Sequence, residues 1–129
     1  MFYDTCFLID LQREWLRSEH GPAHRFLKEH ADERCEISVI VYAEFLEGFA
    51  DPRRGEAFLA GFARAGVSEA IAWEVARLRR MLRQQGTLPG DFDLLIAATA
   101  LRHHEPLVTR NTAHFARIAG LRCIDYTQA

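Results

Sequence analysis

Three acidic residues lie in apolar stretches of the chain and have the surroundings of a metal-binding carboxylate cluster. Asp4 follows a short apolar run, Glu44 lies within residues 38–45, and Asp93 lies within residues 92–98. These segments contain no Lys or Arg, and an ionised carboxylate taken out of water costs several kcal/mol unless something compensates it. A hard divalent cation with oxygen ligands, Mg²⁺ or Mn²⁺, would neutralise three such groups if they converge.

Each acid also has a simpler structural explanation. Asp4 could cap the helix that follows it, Glu44 could face solvent on an amphipathic helix, and Asp93 could favour a first helical turn through the helix macrodipole. Helical periodicity does not separate Glu44 from Glu47, because both align with apolar neighbours. Asp91 competes with Asp93 and is better placed as a helix cap. These alternatives stay open on periodicity alone.

The elements that position these acids are predicted from hydrophobic periodicity and from turn residues. Strands are predicted at residues 2–4, 35–37, 107–109 and 121–124. Helices are predicted at residues 5–15, 23–30, 39–49, 53–65, 69–85, 92–103 and 112–119. Ser38, Ser68 and Asp91 are the predicted caps of the third, fifth and sixth of these helices.

Short strands that alternate with helices predict an α/β fold, a three-layer α/β/α domain with a short central parallel sheet. In open sheets of this kind, ligands bind beyond the carboxyl ends of the strands. Asp4 stands at the carboxyl end of the first predicted strand, which favours it as a site residue. Residues 1–129 contain no linker or repeat and have 49% hydrophobic composition, so we expect a single domain.

Composition limits the classes of function. The net charge of −2 and the pI of about 6.3 do not suit a binding-only nucleic-acid module, which is usually basic. Cys6, Cys35 and Cys123 form no CxxC pair or disulfide framework, which is typical of a reducing compartment. The sequence shows neither a secretory signal nor a run long enough to span a bilayer, so we expect a cytoplasmic protein without membrane attachment.

Four segments, in chain order, resemble the motifs of PIN-domain ribonucleases. They are residues 4–10, 37–48, 93–101 and 107–115, and residues 118–121 resemble the usual ending. The acids of the first three motifs fall at Asp4, Glu44 and Asp93. Because the likeness runs nearly from end to end, it favours the metal-binding interpretation of these acids over the simpler ones.

The length and the Ile-Ala-Ala-Thr-Ala stretch look most similar to VapC-type toxins of toxin–antitoxin pairs. The resemblance implies a Mg²⁺-dependent endoribonuclease, with Mn²⁺ as a possible substitute, that is a homodimer and is held inactive by a small antitoxin. It implies that Asp4 and Asp93 bind the ion directly, while Glu44 binds through water or helps to activate the nucleophile. Thr109 and Asn111 would orient the carboxylates by hydrogen bonds.

Three positions depart from the family pattern. Cys6 replaces the commoner Asn or Ser, Asn111 replaces an Asp found in many relatives, and His114 replaces an acid. We therefore expect one tightly held ion, with a second arriving with the substrate, and we expect Asn111 to act on water or phosphate or as the cap of residues 112–119. Arg110, inside the fourth motif, is a predicted phosphate contact. The alternative function is a catalytically weak PIN domain that binds RNA or protein.

Two side-chain groups are candidate contact surfaces. The first comprises four arginines of the long helix, which fit a solvated face, an RNA track or an antitoxin-binding face: Arg77, Arg79, Arg80 and Arg83. The second comprises four phenylalanines that are mostly core by spacing, of which an exposed subset could form a groove for an antitoxin helix: Phe45, Phe49, Phe58 and Phe62.

Overall fold

Five short parallel strands form the centre of the computed structural model, which describes residues 1–128. The strands are β1 (Phe2–Tyr3), β2 (Glu36–Ser38), β3 (Ala63–Ala65), β4 (Leu107–Val108) and β5 (Cys123–Ile124). Their order in the sheet is β3-β2-β1-β4-β5, so β1 is the central strand. Phe2 lies opposite Glu36 on one side, and Tyr3 lies opposite Val108 on the other.

Helices connect the strands and flank the sheet. They are α1 (Thr5–Leu16), α2 (Pro22–Glu29), α3 (Val39–Glu47), α4 (Pro52–Phe58), α5 (Glu69–Gln84), α6 (Asp91–Arg102) and α7 (Thr112–Phe115). The Ser38 and Ser68 hydroxyls accept hydrogen bonds from the third backbone N–H beyond each of them, so both predicted caps are confirmed. The predicted three-layer α/β/α fold with a short parallel sheet is confirmed as well.

The prediction of one helix over residues 53–65 is wrong. Helix α4 ends at Phe58, and residues 63–65 form β3, an edge strand paired with β2. Leu59 and Phe62 keep helix-like spacing, and both are buried, but they point into the core from the turn between α4 and β3. Sheet pairing outweighs the local periodicity here, as tertiary context commonly does.

Helix boundaries differ from the prediction at several other places, of which the start of α6 and the end of α7 bear on the candidate site. Gly90 is the cap of α6, and Asp91 is its first residue. Helix α7 ends at Phe115 rather than at residue 119. Phe115 and Ile118 are both buried, so the turn after α7 still packs on the core.

An aromatic cluster forms the core next to the central strand. Tyr3 lies 4.5 Å from Phe7 and 5.7 Å from Phe62, measured between ring centroids, and Phe7 lies 4.8 Å from Tyr126. Fully burying a side chain of this size contributes about 1.5–3 kcal/mol. The cluster fixes β1, α1 and the C-terminal segment against one another, which holds the residues that follow β1 in place. None of the helices within residues 1–128 has the length and apolarity to cross a membrane.

Candidate functional site

Asp4 occupies the carboxyl end of the central strand and is 6% exposed. Its Oδ1 accepts a hydrogen bond from the backbone N–H of Thr5 at 2.8 Å, so Asp4 caps α1. Its Oδ2 accepts a bond from the hydroxyl of Thr109 at 2.8 Å and a longer one from the Cys6 thiol at 3.6 Å. The capping role and a role in a site are therefore compatible, because each uses a different oxygen.

Thr109 directly follows β4, the strand beside β1, so the sheet brings it next to Asp4. It is fully buried. Its hydroxyl oxygen accepts a hydrogen bond from the backbone N–H of Asn111 at 3.0 Å while it donates to Asp4. Asn111 occupies the cap position of α7, but its side chain makes no capping hydrogen bond to that helix. Thr109 thus has one orientation, which points its proton at the carboxylate.

Cys6 completes the surroundings of Asp4. Its Sγ lies 3.5 Å from the Thr109 hydroxyl as well as 3.6 Å from the carboxylate. Burial raises the pKa of the Cys6 thiol, and the negative charge of Asp4 raises it further. The thiol therefore stays protonated and serves as a donor to Asp4.

Glu44 lies on α3 and contacts the first turn of α1. Its Oε1 accepts a hydrogen bond from the Thr5 hydroxyl at 2.7 Å. Burial raises the pKa of Glu44, the bond from Thr5 lowers it, and the negative charges of Asp4, Asp93 and Glu47 raise it. The result is a net upward shift. Glu47 itself is exposed, so Glu44 is the acid of this pair that faces the end of β1.

Asp93 lies in the first turn of α6, and its Oδ2 is 2.7 Å from Nε2 of His114 on α7. The competing acid Asp91 is exposed and forms an ion pair with Arg79 of α5. Asp91 therefore links α6 to α5, whereas Asp93 faces α7. Sequence reasoning placed His114 on an exposed helix and missed its contact with Asp93, since the two positions share no local motif.

The three acids approach one another without forming a closed ligand shell. Among residues 1–128, no three Asp, Glu, His or Cys side chains are close enough to hold one ion together. Mg²⁺ nevertheless keeps several waters and uses one or two carboxylates. The donor set fits such an ion, because it consists of carboxylate oxygens and because the charges of Asp4 and Asp93 raise the pKa of Glu44.

Asp10 is a polar centre that sequence reasoning missed. It accepts hydrogen bonds from the Arg110 guanidinium at 2.7 and 2.8 Å, from the Tyr126 hydroxyl at 2.5 Å and from Arg13 at 3.2 Å. Arg110, the predicted phosphate contact, is therefore engaged in an ion pair. Its partner is 100 positions away along the chain, so no local pattern could have indicated the contact.

Two of the four arginines on α5 are also engaged. Arg77 pairs with Glu74, and Arg79 pairs with Asp91, while Arg80 and Arg83 are exposed. The apolar stripe on the opposite face of α5 is buried at Ile71, Leu78 and Leu82 in the described structure. The face of α5 that carries the arginines is therefore mostly a solvated surface. Of the four arginines, Arg80 and Arg83 form no such ion pair within residues 1–128.

A parallel sheet with acids gathered near the end of its central strand defines the class of the protein. A family model described as PIN domain matches residues 1–121. The chain belongs to the PIN-domain family.

Relatives and solved structures narrow the similarity. Ribonuclease VapC1 of Methanocaldococcus jannaschii is 33% identical over 127 residues, which cover 95% of this chain and 85% of the relative. The structure of VapBC-1 from nontypeable Haemophilus influenzae matches with a TM-score of 0.81 and 27% identity, covering 99% of this chain and 100% of the other. A toxin–antitoxin complex from Klebsiella pneumoniae matches with a TM-score of 0.73 and 29% identity, covering 97% and 96%. Within the PIN-domain family, the similarity is thus to VapC proteins.

Proposed function

We propose that this protein is a metal-dependent endoribonuclease and the toxin of a VapBC-type toxin–antitoxin pair. One observation carries the proposal: the hydrogen-bond donors to Asp4 within residues 1–128 are all neutral, although Glu44 and Asp93 add negative charge nearby. A buried carboxylate in such surroundings calls for a cation. The similarity to a ribonuclease named VapC1 supports RNA as the substrate.

We assign Asp4 and Asp93 as the residues that hold Mg²⁺, with Mn²⁺ as a substitute, and Glu44 as a ligand through water or an activator of the nucleophile. A divalent ion bound there would lower the pKa of a water and neutralise charge on the phosphate. The raised pKa of Glu44 makes it a better acceptor for a proton from that water. The Thr5 hydroxyl fixes the Glu44 carboxylate for this task.

Residues of the fourth motif serve the site indirectly. Thr109 orients Asp4, and the backbone of Asn111 in turn orients Thr109. Hydrogen bonds that fix the orientation of a metal-binding carboxylate in this way strengthen metal binding. Arg110 is held by Asp10 and would have to give up that ion pair to contact a phosphate.

An antitoxin helix would find an apolar groove on the surface. Of the four phenylalanines, Phe45 and Phe62 are buried and Phe49 and Phe58 are partly buried, and Phe58 and Phe62 line a cavity of about 570 Å³. Trp15, which is 70% exposed, forms part of the same wall. We propose an amphipathic antitoxin helix as its occupant, since a toxin–antitoxin complex is among the similar structures and helices bind such grooves by their apolar face.

Three further assignments complete the proposal. Residues 1–129 act as one PIN-like nuclease domain, the protein is a homodimer, and it works in the cytoplasm. The similarity to VapBC complexes supports an assembled protein. Size-exclusion chromatography with light scattering, on the toxin alone and with its antitoxin, tests the oligomeric state.

A catalytically weak PIN domain that binds RNA or protein is the second candidate. Asn111 in place of Asp in the fourth motif favours it, as does the absence of a closed three-ligand group within residues 1–128. The two candidates differ in whether RNA is cut, so a cleavage assay distinguishes them.

The test measures cleavage of end-labelled RNA by the antitoxin-free protein with Mg²⁺, with Mn²⁺ and with chelator. Asp4→Asn, Glu44→Gln and Asp93→Asn should each lose at least about 100-fold in rate. Glu47→Gln, a matched change on the exposed side of α3, should stay within about twofold. Cleavage that persists in chelator, or full activity in Asp4→Asn and Asp93→Asn, would overturn the mechanism. RNA binding without cleavage by the wild type would favour the second candidate.

A further inference from the structure

The contact between His114 and Asp93 has a geometry suited to shared metal binding. His114 Nε2 and Asp93 Oδ2 are 2.7 Å apart, and they come from two helices, α7 and α6. The side chain of His114 is 49% exposed and that of Asp93 is 35% exposed, so both are accessible from solvent and can change rotamer. The fold, rather than helical spacing, brings the two atoms together, because the residues are 21 positions apart.

The separation of these atoms is close to that of two adjacent ligands on one ion. In octahedral coordination with bonds of about 2.1 Å, neighbouring ligand atoms lie about 3 Å apart. An ion held by the Asp93 carboxylate would therefore have the imidazole nitrogen within reach after a small side-chain rotation. An ordinary hydrogen bond occupies the same distance when no ion is bound.

We propose that His114 is a nitrogen ligand of the divalent-cation site and gives that site a preference for a transition-metal ion over Mg²⁺. Carboxylates accept Mg²⁺ and Mn²⁺ alike, whereas imidazole binds transition metals far better than it binds Mg²⁺. His114 stands where the sequence resemblance implies an acid, so this chain has an imidazole nitrogen where a carboxylate oxygen is expected. The inference rests on the proposed metal-dependent function and changes the ion that the site prefers, from Mg²⁺ to a transition metal such as Mn²⁺.

A rival explanation is that His114 touches Asp93 only to orient it. A positioning histidine would donate its N–H to the carboxylate and leave the ion with an all-oxygen shell. Nitrogen bound directly to Mn²⁺ gives a hyperfine coupling that can be read by pulsed electron paramagnetic resonance. The two roles therefore differ in a signal that does not depend on catalysis.

The experiment uses the full chain without metal and adds Mn²⁺, with Mg²⁺ binding measured separately by calorimetry. Wild type and His20→Ala, a control in the loop before α2 where the ring stacks on His24, should show the nitrogen coupling. His114→Ala and His114→Asp should lose it. The Mn²⁺ dissociation constant should rise at least about 10-fold in His114→Ala, while that for Mg²⁺ changes less than threefold, as expected if imidazole contributes little to Mg²⁺ binding. His114→Asp should bind Mg²⁺ more tightly than wild type does.

Three outcomes overturn the proposal: no Mn²⁺ binding at millimolar concentration, Mn²⁺ bound to wild type without nitrogen coupling, or coupling that survives in His114→Ala. Circular dichroism of each variant verifies that the fold is intact, and His114→Asp keeps a polar partner at the same position. Failure of the proposed function is distinguishable from failure of this inference. Nitrogen coupling without RNA cleavage would overturn the ribonuclease proposal alone. Mg²⁺-supported RNA cleavage without nitrogen coupling would overturn the assignment of His114 as a ligand alone.

Discussion

The Thr109 hydroxyl donates a 2.8 Å hydrogen bond to the Asp4 carboxylate across 105 positions of the chain. The two residues follow neighbouring parallel strands, β1 and β4, so the sheet itself sets their separation. Because Thr109 is fully buried and also accepts from the Asn111 backbone, its hydroxyl has no freedom to turn elsewhere. A residue outside the three acids therefore controls how the central acid of the candidate site is oriented.

Replacing Thr109 by Val removes this hydroxyl while keeping the shape of the side chain. RNA cleavage should fall about 10- to 100-fold, as is typical when a residue that orients a metal-binding carboxylate is lost. Stability should fall by about 1–3 kcal/mol, because buried groups are left without partners. Thr109→Ser, which keeps the hydroxyl, should retain most of the activity. Equal cleavage rates for the Val and Ser variants at saturating metal would contradict the orienting role.

Glu14 is a buried acid whose role is in folding. Its two carboxylate oxygens accept the backbone N–H groups of Ala23 at 3.0 Å and His24 at 2.9 Å, which caps the start of α2 from α1. Glu14→Gln should lower the free energy of unfolding by about 1–3 kcal/mol, because an amide cannot accept from both donors. Urea denaturation measures this, with Glu19→Gln on the exposed loop as control. Matched losses in the two variants would refute the capping role.

Gly21 lies against the Glu14 carboxylate, so a substitution there tests the same cap. A Cβ at this position would lie 2.5 Å from Cδ of Glu14, which is too close for unbonded atoms. Gly21→Ala should therefore displace the carboxylate and destabilise the protein by an amount that does not add to the effect of Glu14→Gln. Full additivity in the double variant would show that the two residues act separately.

The features that sequence alone predicted are those with local causes. The Ser38 and Ser68 caps, the strand before Asp4 and the strand–helix alternation each depend on neighbours in the chain, and the structure confirms them. Strand β3 was missed because its identity comes from pairing with β2, while Leu59 and Phe62 imitate a helical stripe.

The acids of the candidate site could be predicted from the sequence, but the residues that contact them could not. Helical register left Glu44 and Glu47 equivalent, and packing against Thr5 separates them. The contacts of Asp93 with His114 and of Asp10 with Arg110 join distant positions. Such contacts depend on the final fold, so no motif or spacing encodes them.

The ion pair of Asp10 and Arg110 gives the arginine a structural role that can be distinguished from phosphate binding. Since Asp10 holds the guanidinium through both of its oxygens, we expect Arg110→Gln to reduce stability and to change KM for RNA by less than twofold. A double-mutant cycle with Asp10→Asn should give a coupling of about 0.5–1 kcal/mol, a value expected for a pair that is half exposed at one end. A large rise in KM with unchanged stability would assign Arg110 to phosphate binding instead.

Tyrosine ionisation provides a pH test of the core. Burial raises the pKa of Tyr3 and of Tyr126 far above its ordinary value, and the hydrogen bond from Tyr126 to Asp10 raises it further. A hydrogen bond to Glu56 raises the pKa of Tyr42, the third tyrosine of the chain. In the unfolded chain a tyrosine titrates near pH 10. The folded protein therefore keeps the phenols of Tyr3 and Tyr126 protonated at pH values where the unfolded chain loses its phenolic protons.

The sign of the effect follows from this difference. Below about pH 10 both states hold the phenolic protons and the free energy of unfolding is unaffected, whereas above it the unfolded state is favoured by up to about 1.4 kcal/mol per pH unit for each buried tyrosine. While circular dichroism remains native, absorbance at 295 nm should show a tyrosinate step no larger than that of Tyr42 alone, and the signals of Tyr3 and Tyr126 should appear together with unfolding at higher pH. Tyr126→Phe should make the loss of stability between pH 10 and 11 less steep, because one titrating phenol is removed from the unfolded state. A 295 nm step centred near pH 10 with all three tyrosines titrating in the native protein would show that the aromatic core admits water.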